Sequence, residues 1–508
     1  MSAIVGEILT FPHGEEKIKL RVFGDEFYAR YESIDGYTAI YDSELGKYCF
    51  ADLENGRFVS SGKDITGIVP KGITRHLKED SSEKTKKFSK RYNEIRPNIT
   101  DPNIEMHESK YDSLHDIDNN EDMKTRGPSN GLLDNMSLTN GDVLGLTVLV
   151  EFADKFSSVT LRDVDEMLNS ENYHKNGNFC SVNEYFKTIS SGKLNYRNKV
   201  VGPIKLSKGI EYYKNTLFVE EAMDILVNDL NVDLSQFDSK QRGIVDAINF
   251  LYAGETLYEK NLWPHNSIIN LEYNSVKTHF YLLTSLGRNS GDLSIGTFCH
   301  ETGHLLCRFP DMYDYGDPDR EDDKQKSQGI GAYCLMGSGN HLNNGLTPSP
   351  VCAYLRDLAG WCENNIILTD GVYTARHGDY NTVIRYNTDK TNEYFLVENR
   401  TALALDRYLP SSGLAIYHCD INGSNEYQDG TPSRHYQCAL LQADGNLDLE
   451  NNRNNGDSKD LFKEVTGIAI SGNTTPSSKQ WDGVDSGLTI LDITVPGENI
   501  EFKVQIRQ

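Results

Sequence analysis

Between Cys299 and Gly316 the chain reads CHETGHLLCRFPDMYDYG, with two histidines four residues apart and a glutamate directly after the first. On a helix, residues four apart share one face. His300 and His304 could therefore hold one zinc ion through neutral imidazoles, with Glu301 one step round the helix as the general base. A water acidified by the metal would attack a peptide carbonyl, and Glu301 would pass its proton to the leaving amine. The surrounding stretch, IGTFCHETGHLLCRF, is apolar apart from this cluster. Burying two imidazoles and a carboxylate without a metal or partners costs several kcal/mol, which argues against a chance spacing.

A catalytic zinc needs three protein ligands and one open position. In the metzincin pattern HExxHxxGxxH or D, a glycine makes the turn after the helix and the third ligand follows three residues later. Here Cys307 stands at the glycine position and Pro310, which has no donor, at the ligand position. A one-residue bulge would bring Asp311 to the metal instead. Asp314 is the nearest alternative, and Asp317 and Asp357 are more remote ones. Downstream, GAYCLMGSGNH offers Met336 as a turn methionine forming an apolar floor. Tyr333 and His341 in the same stretch are candidates for polarising the carbonyl or stabilising an oxyanion. The loop LLQADGNLDLENNRNNGDSKDLF gathers Asp444, Asp448, Glu450, Asp457 and Asp460, hard oxygen donors that suit calcium, although not at EF-hand spacing. FDSKQRGIVD is a weaker calcium candidate, because Lys240 and Arg242 interrupt its acids.

These residues need a scaffold. At 508 residues the chain is long enough for about two to four domains. Its net charge of -24 argues against nucleic-acid and anionic-membrane partners. It has no apolar run of about 18 residues, so no transmembrane helix is expected. The opening MSAIVGEILTFPHGEEKIKL lacks the basic and apolar regions of a secretory signal. Nine cysteines without a CxxC pair predict no disulfide framework.

Residues 1–70 alternate as short strands joined by turns such as IDGY and ENGR, which predicts a small β-rich unit. Residues 71–140 are polar and read as a linker, with protease-accessible bases at Lys84 to Lys87, Lys124 and Arg126. Residues 141–361 mix buried-strand runs, GLTVLVEF and GIVDAINFLYAG, with helical patterns in VNEYFKTI and VEEAMDILVNDL, and so read as an α/β catalytic unit. Residues 362–508 are again strand-rich, in NTVIRYN, NEYFLVENR, GLAIYHCD, HYQCALLQ, LTILDITV and EFKVQI, which predicts a β-sandwich-like domain. The expected fold class is therefore α+β and multidomain.

Several motifs in order resemble the immune inhibitor A family of zinc metallopeptidases. They are TVLVEF, VNEYFKTISSGKL, NLWPH, HETGH with PDMYDYG, CLMGSG, CAYLRDLAGW, NEYFLVENR, SGLAIYHCD, LLQADGNLDLE and NGDSKDLF. The N-terminal VFGDEFYARYESIDGYTAIYD is similar to that family's prosegment. The resemblance implies a metzincin-like zinc endopeptidase, made as a zymogen, secreted, and acting on proteins. It carries over His300, His304 and Asp311 as zinc ligands, Glu301 as base and Met336 as turn methionine. A prosegment carboxylate can block such a metal, and Asp25 in GDEF is the candidate. The alternative is an inactive or non-peptidase zinc protein whose β-sandwich binds carbohydrate or protein.

Overall fold

The computed structural model describes residues 4–14, 16–25, 27–95, 137–258, 260–315, 327–426 and 428–507. The chain divides into two compact units, one built on Ser2–Asn98 and the other on Ile99–Gly316 and Gln325–Gln508.

The smaller unit is an antiparallel meander of β1 (Ile4–His13), β2 (Glu16–Gly24), β3 (Ala29–Ser33), β4 (Thr38–Asp42), β5 (Lys47–Glu54) and β6 (Arg57–Asp64). Its last hairpin turns at Asn55 and Gly56, with φ of 52° and 77°. A two-residue loop with both φ positive matches the right-handed strand twist, and Asn-Gly is the pair that adopts it at least cost. Phe11, Leu20, Val22, Tyr48 and Phe50 form the buried face.

The polar segment after residue 70 departs from the linker expectation. Ser81–Ile95 forms helix α1, so the basic run Lys84 to Lys87 is helical rather than extended. One aromatic residue anchors it: Phe88 is buried with its ring 5.0 Å from that of Phe27. Lys87 pairs with Glu79 at 2.5 Å, and Lys86 with Glu83 one turn back. Among the described side chains of α1 only this ring is fully buried, which leaves no apolar periodicity to read. The expected processing bases Lys124 and Arg126 lie outside the described residues.

The larger unit opens on a five-stranded sheet ordered β10–β13–β9–β7–β8. Its strands are β7 (Gly141–Glu151), β8 (Leu194–Lys205), β9 (Ile248–Tyr252), β10 (His265–Ile268) and β13 (Phe280–Ser285), with β11 (Glu272–Tyr273) and β12 (Val276–Lys277) as a separate hairpin. Only the edge strand β10 runs antiparallel to its neighbour. Helices α2 (Leu161–Asn169) and α3 (Val182–Ile189) start at capping boxes, Thr160 with Asp163 and Ser181 with Glu184. Short helices α4 (Ile210–Tyr213) and α5 (Val219–Asp224) follow. The run in β7 is apolar because both faces are covered. Val143 and Leu149 join one core with α3, while Leu146, Val148 and Val150 join another with α5.

Helices α6 (Gly296–Cys307) and α7 (Ala353–Leu358) lead to two further sheets. One is ordered β14 (Asn364–Ile367), β16 (Thr382–Asn387), β17 (Glu393–Arg400), β18 (Gly413–Asp420), β19 (Cys438–Leu440). The other is ordered β15 (Gly371–Arg376), β22 (Asn499–Ile506), β21 (Leu488–Ile493), β20 (Val465–Ile470). The two sheets share a core made of Phe395, Val397, Ile416, Ile490, Phe502 and neighbours. Alternate residues of the same strands, Tyr394, Leu396, Ala415 and Tyr417, join the core that holds α6. The β17–β18 layer is thus covered on both faces, which is why EYFLVENR is buried along its whole length. The protein is mixed α+β with several sheets. Among the described residues no helix is long and apolar enough to cross a membrane.

Candidate metal centre

Helix α6 carries His300, Glu301 and His304, all buried. It ends one residue later than the glycine-turn pattern expects. Arg308 caps it in the left-handed region, at φ 56° and ψ 30°, and the N–H groups of Arg308 and Phe309 donate to the His304 and Gly303 carbonyls. A non-glycine residue there is strained. Arg308 is held by its own hydrogen bond to the His304 carbonyl and by stacking over the Phe280 ring. The turn thus falls on residue 308 instead of 307, and everything after it shifts by one. That shift answers the register question: Asp311, not Pro310, meets the histidines.

His300 Nε2, His304 Nε2 and Asp311 Oδ1 form a triangle with sides of 3.2, 3.2 and 3.3 Å. Each imidazole donates its Nδ1 proton to a main-chain carbonyl at 2.7 Å, His300 to Leu335 and His304 to Phe309. A carbonyl only accepts, so Nδ1 carries the proton and the neutral ring turns its Nε2 lone pair inward. Burial pulls the His300 imidazole down to about 3 and so favours the neutral ring, with Asp311 opposing. Burial alone would raise the Asp311 carboxyl, but nearby positive charge outweighs it and holds the group well below the usual range, so it faces the two neutral rings as a carboxylate. Three acceptors aimed at one point fit a cation. Tetrahedral bonds of about 2.0–2.1 Å, as zinc makes to these ligands, would set the donor atoms roughly 3.3–3.4 Å apart. Among the described residues this is the only group of three or more His, Cys, Asp or Glu side chains whose ligand atoms all lie within 4.8 Å of one another.

Met336 lies against the helix at Gly303. Gly303 leaves the space for it: a Cβ there would stand 2.7 Å from the Met336 sulfur. Glycine inside a helix costs about 1 kcal/mol relative to alanine, and this contact supplies its reason. The turn is tied to both sides of the triad. Leu335 accepts from His300, and the Met336 carbonyl accepts the Met312 N–H at 2.8 Å.

Other expected site residues fall elsewhere. The Tyr333 hydroxyl donates to Asp460 Oδ2 at 2.9 Å and to the Asp457 carbonyl at 3.1 Å, so it joins the acidic loop rather than serving as an oxyanion donor. Burial, then the Asp460 charge, pushes its ionisation far up. His341 is half-buried in the Gly339–Gly345 turn that packs on α6. Asp314 accepts from Gln428 at 2.9 Å, Asp357 faces Arg385, and Asp317 lies outside the described residues.

Among the described residues, no three of the expected calcium donors bring ligand atoms within 4.8 Å of one another. Asp444 accepts twice from Asn446, and Asp448 pairs with Arg453 at 2.9 Å. Asp457 accepts from the Lys459 N–H and from Asn454, and Asp460 from Tyr333 and the Asp457 N–H. Glu450 accepts from Gln442. In FDSKQRGIVD, Asp238 accepts the Arg242 and Gly243 N–H groups, and Asp246 is held by Ser239 and Arg242. These loops close on their own hydrogen bonds. Asp25 sits in the smaller unit, buried, with Oδ1 capping the Phe27 and Tyr28 N–H groups at 2.9 Å.

Two groups at the triad had no reading in the sequence. The Tyr315 hydroxyl donates to Asp311 Oδ2, and Glu426 Oε1 accepts the Asp311 N–H at 3.0 Å. Tyr315 stands four residues from Asp311 in PDMYDYG, within reach of a local reading, whereas Glu426 is 115 residues away and carries no local signal. No protein-family model matches the chain, and no curated protein is significantly similar to it.

Proposed function

We propose that the protein is a zinc-dependent endopeptidase, made in latent form. The observation that carries this reading is the convergence of His300 Nε2, His304 Nε2 and Asp311 Oδ1 within 3.3 Å, with Glu301 on the same helix. Two imidazoles and one carboxylate are a ligand set that suits zinc with one position left open. Zinc, when bound, supplies Lewis acidity towards a peptide carbonyl and a water. The chain's residues do the rest. Leu335 and Phe309 hold the two imidazoles in the ligating tautomer, and Met336 closes the apolar floor. Glu301 takes the proton of the attacking water on its carboxylate and hands it to the leaving amine nitrogen. The motifs shared with immune inhibitor A peptidases support the same activity and a protein substrate.

The test is zinc content together with cleavage of an unfolded protein. Glu301→Gln is expected to retain zinc and lose about 100-fold or more in rate, since a general base contributes about 10²–10⁴. A chelator is expected to abolish cleavage. Stoichiometric zinc with no cleavage of any unfolded protein, with the smaller unit removed by limited proteolysis, would contradict the reading and favour a non-catalytic zinc protein. For latency, Asp25→Ala is expected to raise the activity of the intact chain, and unchanged activity removes Asp25 as the blocking group.

A further inference from the structure

We propose that Tyr315 and Glu426 are positioning residues for the third ligand, so that the C-terminal strands complete the metal centre. The proposal rests on Asp311 being a ligand. Asp311 has two carboxylate oxygens and no solvent exposure. Oδ1 faces the two histidines, and Oδ2 accepts the proton of the Tyr315 hydroxyl. Tying down Oδ2 leaves one oxygen for the cation and fixes the rotation of the carboxylate about its last bond.

Glu426 holds the main chain of the same turn. Its Oε1 accepts the Asp311 N–H at 3.0 Å and lies 3.4 Å from the Tyr315 hydroxyl. Its main-chain carbonyl accepts the Tyr315 N–H at 2.9 Å. One residue thus grips both ends of the segment from Asp311 to Tyr315. All three side chains are buried, with Glu426 4% exposed and Tyr315 1%. Glu426 belongs to the connection between β18 and β19, not to the segment that carries HETGH. Neighbouring Asn425 is fastened to β19, donating to the Cys438 carbonyl and accepting the Cys438 N–H. Strand β19 therefore sets the height of Glu426, and Glu426 sets Asp311. The outer partners of metal ligands typically govern about 10–100-fold of metal affinity.

The experiment measures zinc affinity of the purified full chain by competition with a chromogenic chelator, with no dependence on peptidase activity. Tyr315→Phe and Glu426→Ala are each expected to bind zinc about 10–100-fold more weakly. Glu426→Gln keeps an acceptor oxygen for the Asp311 N–H and is expected to stay within about threefold of the parent, a rescue that general damage to the fold would not give. Thermal unfolding of the metal-free proteins checks that each variant is folded. If Glu426→Ala does not fold, Tyr315→Phe decides, since it removes a single oxygen. Unchanged affinity in Tyr315→Phe, or equal loss in Glu426→Ala and Glu426→Gln, overturns the proposal. Asp311→Asn separates the two levels. If it too leaves affinity unchanged, the ligand reading has failed; if it alone loses affinity, only the positioning role has.

Discussion

The end of α6 and the loop from Asp444 to Asp460 are both rich in metal-ligating side chains, yet they are built in opposite ways. At α6 the Nδ1 protons are spent on two main-chain carbonyls, which leaves three lone-pair atoms facing one another at 3.2–3.3 Å. In the acidic loop the donors are the partners: N–H groups, an arginine, asparagines, a glutamine and a tyrosine hydroxyl reach the carboxylates. Donor count is the same kind of signal in both. What separates them is whether the surrounding groups satisfy the acceptors or only orient them.

That contrast is open to attack, most strongly by exchanging roles. Asp311→Asn is expected to abolish stoichiometric metal in the purified chain, whereas Asp444→Asn combined with Asp448→Asn leaves metal content unchanged, both read by elemental analysis. Loss of metal from the second protein would restore the loop as a site.

The next largest effect lies at the joint between the two regions. Arg400 is buried, paired with Asp406, and donates to the Tyr333 carbonyl at 2.6 Å and to Ser349 at 2.7 Å. Arg400→Ala leaves the buried Asp406 charge with His377 alone and is expected to cost about 3 kcal/mol in chemical denaturation. A cost below about 1 kcal/mol would mean that the joint does not hold the turn.

Tyr333→Phe is smaller and sharper. Loss of the hydroxyl leaves a buried Asp460 oxygen short of a donor, at about 1–3 kcal/mol of stability. If Tyr333 serves the loop and not the reaction, kcat is unchanged once the protein is folded; a large fall in kcat would return it to the oxyanion role.

The smallest effect is in pH. Burial, with neighbouring carboxylates adding to it, raises Glu450 to about 7 and Asp460 to about 6. Both bind their protons more tightly folded than unfolded. The stability they contribute is complete below their ordinary values near 4 and is lost as pH rises through about 6 to 7. The metal-free protein is expected to lose stability across that window, and Glu450→Gln to flatten the loss. A calcium-binding loop would behave oppositely in added calcium, gaining stability as pH rises.

The readable parts of the molecule were those with local periods. The four-residue histidine spacing, the alternation in EFKVQI and the Asn-Gly hairpin all depend on neighbours in the chain. The unreadable parts depended on distant ones. Arg308 gives no sign that it will take a left-handed turn, because its compensation comes from Phe280. Among its described side chains, helix α1 fully buries one ring. Tyr333 sits three residues from Met336 and reads as a site residue until Asp460, 127 positions later, claims its hydroxyl. Strand β17 reads as a sandwich strand, but its burial on both faces follows from the core behind it that also holds α6.

The central claim is that the zinc proposed above is held by one buried triad and by nothing in the acidic loop. Anomalous diffraction at the zinc absorption edge from crystals of the metal-loaded chain tests it most directly. The account predicts one strong peak about 2.0–2.2 Å from His300 Nε2, His304 Nε2 and Asp311 Oδ1. A peak bound by Asp314 or within the Asp444–Asp460 loop instead, or no peak at the triad in zinc-saturated crystals, would contradict it.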